Sequence, residues 1–155
     1  MNLDQYMPPG ASRANGARGR VRVEPRFHAG LKDLAGFERI WLIYWFHKAS
    51  GSSLLVTPFL DTRERGVFAT RAPARPCPLG ISAVRLLAVR EEGDLEVADV
   101  DIVNGTPLLD IKPYVPEFDC YVSSTAGWFD ESNSRRCLAD ERFESGSNPE
   151  GPAKR

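Results

Sequence analysis

The chain has 155 residues, 42% of them hydrophobic and 26% charged, with 13 Gly and 12 Pro, which excludes a disordered chain and describes one globular domain rich in turns. Twenty Lys and Arg against twenty-one Asp and Glu leave a net charge of -1, so no global attraction to a polyanion is written in, and any nucleic-acid contact must be local. Three widely spaced cysteines, Cys77, Cys120 and Cys137, suit reduced thiols in a cytoplasmic protein, and with His28 and His47 they make no metal-ligand spacing. No metal is expected. The longest apolar run, Ile40 to Phe46, is far short of the ~20 residues that cross a bilayer, and the first residues lack the basic and apolar regions of an export signal.

Residues 1–19 are polar and turn-rich without periodicity and read as a loop or arm. Between Arg13 and Arg26 five arginines face one acid, Glu24; Arg20 and Arg22 alternate with Val21 and Val23, as on a half-buried strand that presents arginine either to solvent or to an anion. His28 to Phe37 puts Leu31, Leu34 and Ala35 on one face of a short helix closed by Gly36. Arg39 to Lys48 is apolar on both parities, which predicts a central strand buried on both faces. Leu54 to Leu60 reads as a strand that Pro58 confines to an edge or bulge, and Gly66 to Thr70 as another short strand. Prolines then stiffen the loop Arg71 to Gly80.

Ser82 to Val89 and Leu95 to Val103 predict a hairpin turning at Gly93, and Thr106 to Tyr114 a last strand. Residues 131–155 form a polar extension, frayed from about residue 145. The expected fold is mainly β, a small antiparallel barrel or sandwich with one short helix, its domain spanning residues 20–130.

Four polar constellations stand out. His47-Lys48 ends the most apolar strand, either as a strand-end pair or as ligand contacts. Arg71 and Arg75 sit on the proline-stiffened loop, suited to carboxylate or phosphate recognition or to a surface ion pair. Asp101 to Thr106 carries Asn104-Gly105, a common hairpin turn. Asp110, Lys112 and Tyr114 share one face of a strand, an acid, a base and a phenol that are costly to bury unpaired, so that face is either wet or functional. No Gly-x-Gly-x-x-Gly, P-loop or nucleophile elbow is present.

Two longer segments carry a resemblance. Gly66-Val-Phe-Ala-Thr-Arg-Ala-Pro-Ala-Arg-Pro-Cys-Pro-Leu-Gly-Ile-Ser and Asp101-Ile-Val-Asn-Gly-Thr-Pro-Leu-Leu-Asp-Ile-Lys-Pro-Tyr-Val-Pro resemble the hallmarks of the TsaA-like family, also called YaeB or TrmO. That family reads approximately G-x-F-A-T-R-S-x-x-R-P-N-P-I-G and D-[ILV]-[ILV]-D-G-T-P-[ILV]-[ILV]-D-I-K-P-Y-x-P. The stretch from Gly30 to Phe46-His47 is similar to the family strand that ends in Phe-His, and the likeness covers about Arg20 to Asp119. Cys77 stands where the family usually has Asn, Asn104 where it has Asp, and Lys48 where many members have Gln. The family's opening strand finds no counterpart before Met1-Asn-Leu, and the longer C-terminal extension of some bacterial members is absent.

The resemblance implies an S-adenosylmethionine-dependent methyltransferase on a β-barrel, N-methylating N6-threonylcarbamoyladenosine at position 37 of tRNA, beside the anticodon. It implies cofactor contacts at His47, Lys48, Arg71, Ile81, Asp101, Ile102, Val103, Asn104 and Gly105, with Pro9 and Gly10 matching a nucleotide-facing loop. An exocyclic adenine nitrogen is a weak nucleophile, and Asp110 or Tyr114 is the candidate to take its proton. Lys112, Arg75, Arg20 and Arg22 are candidates for tRNA phosphate. A homodimer is expected, because the resemblance places the cofactor near a subunit boundary and a barrel short of a strand exposes an edge. The alternatives are a cofactor-binding module without tRNA methylation, or an enzyme with another small acceptor.

Overall fold

The computed structural model describes residues 1–6, 16–58, 61–122 and 125–133. Among these residues eight strands are formed: β1 (Asn2–Tyr6), β2 (Arg18–Arg22), β3 (Arg39–Trp45), β4 (Leu55–Val56), β5 (Arg65–Gly66), β6 (Leu79–Val89), β7 (Asp94–Ala98) and β8 (Thr106–Pro113). Six make one antiparallel sheet in the order β1-β2-β7-β6-β3-β8, and β1 also pairs with β8, so the order returns to its start. Among the described residues, strands β4 and β5 pair with each other and not with the larger sheet.

The stretch read as a loop or arm opens with a strand, β1. Asn-Leu-Asp-Gln-Tyr has no run of apolar alternation to announce a strand; its backbone ladders to β2 and β8 hold it in place. The exposed edge that argued for a dimer is consequently closed. Pro9 and Gly10 lie outside the described residues, as does the tail from residue 134 onward.

Inside the ring, alternate residues meet: Val21 of β2, Ile40 and Leu42 of β3, Val84 of β6, and Leu95 and Val97 of β7 are fully buried. The strand β3 differs from expectation. Its even face is buried, but Trp41 and Ile43 on the odd face are half-buried and Trp45 is 47% exposed. One face packs in the core of this chain and the other remains an apolar surface.

The expected helix is instead two 3₁₀ turns, Pro25–Leu31 and Leu34–Gly36, broken where Asp33 takes a left-handed φ of 66°. Val67–Ala69 is likewise a 3₁₀ turn rather than strand, with Val67 buried beneath it. The strand β7 stops at Ala98, five residues short of Val103, because Asp99 turns the chain at φ 64°; Val100 and Ile102 nevertheless remain buried. The β6–β7 hairpin closes as expected, with Gly93 at φ 84° and Arg90 N–H donating to Asp94 O at 2.8 Å. A single turn, α1 (Pro116–Asp119), follows β8, and the Asp119 carboxylate accepts from Val115 N–H at 2.8 Å.

Contacts divide the chain into two compact units, Met1–Cys120 and Tyr121–Arg155. In the second, α2 (Trp128–Asn133) is capped by Asp130, which accepts from Ala126 N–H at 2.8 Å. No helix among the described residues is long and apolar enough to cross a membrane.

Candidate functional site

Three segments distant in sequence meet in a cleft of about 240 Å³. Its floor is aromatic: Tyr44, at the buried end of β3, and Phe46 just beyond meet edge to face at 5.4 Å. The Tyr44 hydroxyl shares a hydrogen bond of 3.1 Å with the Ser82 hydroxyl on β6. The chain then turns, with His47 N–H donating to Trp45 O at 2.8 Å and Ala49 N–H to Phe46 O at 3.0 Å, so His47, Lys48 and Ala49 form one wall. Pro73 contributes from the proline-rich loop, and Asp101, Ile102, Val103 and Thr106 from the β7–β8 connection.

The connection is braced internally. Thr106 donates to the Val103 carbonyl through both N–H (3.2 Å) and hydroxyl (2.6 Å), and Gly105 takes a φ of 74° that the tight turn requires. The proline-rich loop is tied down by Ser53 N–H donating to Ala74 O at 3.2 Å and by Arg75, whose guanidinium donates to the Thr70 carbonyl at 3.2 Å. Among the described residues that line it, Lys48 supplies the lysine cation and Asp101 the carboxylate to a mostly apolar cleft.

Of the cofactor candidates, His47, Lys48, Asp101, Ile102 and Val103 line this cleft. Asn104 and Gly105 form the turn beside it. Arg71 is exposed two residues before Pro73. Ile81 is elsewhere, on the outer face of β6, 44% exposed and opposite Ile43. Thr106, the last residue of the Asp101 to Thr106 constellation, lines the cleft, and so do Tyr44 and Phe46, which the sequence reads as ordinary core of β3; their contiguity with His47 is the signal that marks them.

The row Asp110, Lys112, Tyr114 lies outside the cleft. Asp110 pairs with Lys112 at 2.8 Å and accepts from Ile111 N–H at 2.8 Å, and Lys112 and the backbone N–H together hold its carboxyl below the usual range. Tyr114 packs on Trp41 with ring centroids 5.5 Å apart; burial, then the neighbouring Cys120 and Asp119, push its phenol up. The first shift makes the Asp110 carboxylate a weaker base, and the second keeps the Tyr114 phenol protonated at neutral pH. Arg20 pairs with Asp94 at 3.6 Å, and Arg22 lies two residues on along the same outer face. Among the described residues, no three His, Cys, Asp or Glu side chains gather as a metal site would require.

A stability test follows from Asp110. Its depressed carboxyl contributes above pH 3.8 and loses that contribution as pH falls through the lowered value. Asp110→Asn is expected to lower stability at pH 7 by no more than about 1 kcal/mol, since the pair is half exposed, with the difference from wild type shrinking below pH 3.8 and gone once the pH lies beneath the lowered value. Urea titrations at both pH values check this.

Residues 2–120 match the family described as the tRNA-methyltransferase O N-terminal domain. The chain belongs to this family. A probable S-adenosyl-L-methionine-binding protein of Pyrococcus abyssi is 52% identical over 126 residues, covering 81% of this chain and 68% of the relative. A tRNA (adenine(37)-N6)-methyltransferase of Eikenella corrodens is 39% identical over 98 residues, covering 59% and 56%. Among solved structures, TrmO from Pseudomonas aeruginosa aligns with a TM-score of 0.59 at 39% identity over 72% of this chain and 48% of that one. Another TrmO structure reaches 0.66 at 36% identity over 82% and 60%. The chain therefore spans about half the length of the methyltransferase and TrmO chains just named.

Proposed function

We propose that this chain binds S-adenosylmethionine in the Tyr44–Lys48–Asp101 cleft and transfers its methyl group to N6 of adenosine 37 in tRNA, with N6-threonylcarbamoyladenosine as the acceptor. The observation that carries the reading is the meeting of the Phe46-His47-Lys48 and Asp101–Thr106 segments in one cleft, inside a chain of this family.

The residues fit such a cofactor. The rings of Tyr44 and Phe46 offer an apolar bed for a nucleobase, while Lys48 and Asp101 offer opposite charges to a zwitterionic amino-acid end. When bound, the cofactor supplies an electrophilic methyl group on a sulfonium. The chain's part is to fix donor and acceptor in line and to exclude water, a task suited to a braced turn and a proline-stiffened loop. In this reading Arg71, exposed two residues before Pro73, meets the ligand or a tRNA phosphate, and Arg75 holds the loop in shape by donating to the Thr70 carbonyl. A target base must leave its stack to enter.

The proposal includes a homodimer. The outer face Trp41, Ile43, Trp45, Leu79 and Ile81 is apolar and partly exposed, and about 240 Å³ falls below the roughly 300 to 1,000 Å³ of typical small-molecule sites. A second copy on that face would cover it and complete the cleft. Ile81, Asp110, Lys112 and Tyr114 lie on this outer side, so in the proposed assembly they act across the subunit boundary or not at all. The reading includes a cytoplasmic location, where the protein would meet a tRNA substrate.

The deciding experiment incubates the purified chain with S-adenosylmethionine and tRNA bearing N6-threonylcarbamoyladenosine, followed by mass spectrometry of the nucleosides. Gain of one methyl on that nucleoside is expected, and its absence at saturating cofactor overturns the reaction. In the same preparation, Lys48→Ala and Asp101→Ala should each weaken cofactor binding about tenfold in calorimetry. A second reading has its own support: the Pyrococcus abyssi relative, 52% identical, carries only the name of a binding protein. Cofactor binding without methyl transfer to any tRNA would select it.

A further inference from the structure

The outer surface of the ring carries a row of arginines that the cleft does not use. Arg39 of β3 stands directly opposite Arg85 of β6; Arg85 is opposite Ala98 of β7, and Ala98 is opposite Arg18 of β2. All three guanidiniums project outward, because Ile40, Val84, Val97 and Val21 beside them point into the core. Strand spacing sets Arg39 and Arg85 about 5 Å apart at the backbone and Arg18 about 10 Å further along, with only the short Ala98 between.

Like charges directly opposite across strands destabilise a sheet. Here one carboxylate offsets them. Asp99 reaches Arg39 at 3.2 Å and Arg85 at 3.8 Å, and does so from the left-handed backbone region, at φ 64°. Neighbouring pairs neutralise themselves, Arg20 with Asp94 and Arg90 with Glu96. The row is different: three guanidiniums against one carboxylate, with Arg18 exposed and without an acidic partner among the described residues. Asp99 also lies two residues, at most about 7 Å of chain, from cleft-lining Asp101. The positive surface and the cleft are carried by one continuous turn.

We propose that Arg39, Arg85 and Arg18 form a track for the phosphodiester backbone of the tRNA substrate, and that Asp99 is its resident counter-ion, displaced when phosphate arrives. This inference rests on the tRNA reading above. Guanidiniums grip phosphate with paired donors, and an exposed carboxylate shared between two of them is a weak competitor. Because a local surplus of positive charge attracts RNA even in a chain of net charge -1, the affinity must fall with salt.

The test measures binding of fluorescently labelled tRNA to the full chain across a salt series, with cofactor affinity and thermal midpoint recorded for each variant. Arg39→Gln and Arg85→Gln should each weaken RNA binding roughly 5- to 10-fold and reduce the salt slope by about one. Asp99→Asn, whose new side chain tolerates a positive φ, should change binding in the opposite direction, tightening it several-fold. Cofactor affinity should stay constant in all three. Variants that bind RNA like wild type overturn the track and leave the reaction standing. Wild type that binds tRNA through this row yet transfers no methyl overturns the reaction and supports the track, and a chain that binds no tRNA overturns both.

Discussion

Replacing Gly80 by alanine is expected to lower stability by about 3 kcal/mol and to weaken cofactor binding at the same time. Gly80 lies on β6 opposite Tyr44, and a methyl group there would overlap Cε2 of the Tyr44 ring and come within 2.5 Å of Cζ and 2.9 Å of Phe46 Cζ. Neither ring can yield easily. Tyr44 is 5% exposed and bonded through its hydroxyl to Ser82, while the Phe46 ring packs edge to face on Tyr44 and its backbone N–H donates to Pro78 O at 2.8 Å. Overpacking of this kind costs about 1 to 3 kcal/mol, and loss of the Tyr44–Ser82 hydrogen bond adds about 1. Gly66→Ala is the control, since its φ is -57° and nothing lies within 4 Å of the added carbon. A thermal midpoint roughly 10 °C lower for Gly80→Ala than for Gly66→Ala is the expected result. Equal midpoints would show that the aromatic floor is adaptable rather than fixed.

The elements legible in the sequence are those with a local cause. Gly93 and Asn104-Gly105 announce their turns because Gly93 and Gly105 take positive φ there, and the period-two row of β8 declares its faces. What resisted reading depends on partners far along the chain. The polar β1 is a strand only because β2 and β8 flank it. The apolar run of β3 gives its two faces but not whether each is covered by this chain or another. Asp110, Lys112 and Tyr114 were correctly placed on one face, yet periodicity cannot tell an outer face from a cleft. The Pro73, Phe46–Ala49 and Asp101–Thr106 segments converge because the end of β3 pairs with the starts of β8 and β6, long-range registers that motifs reveal in the sequence and spacing does not.

Ile81→Asp is expected to convert the proposed dimer into a monomer of 17.2 kDa while leaving each subunit folded. The argument turns on exposure. Ile81 is 44% exposed and faces away from the buried Val84 and Leu42 side of the sheet, so the fold loses little beyond a strand preference of about 1 kcal/mol. In the assembly the same position would lie among Ile43, Trp45 and Leu79, and an unpaired carboxylate buried there opposes association by roughly 3 to 5 kcal/mol, a loss of at least a hundredfold in dimer affinity. Light scattering at micromolar concentration should give twice the chain mass for wild type and the single-chain mass for the variant. If the partner completes the cleft, the variant should also bind S-adenosylmethionine more weakly, although residue 81 does not line the cleft of its own chain. A monomeric wild type removes the dimer from the proposal. A variant that dimerises as before moves the interface away from β3 and β6, and a monomeric variant with full cofactor affinity shows that one chain builds the whole site.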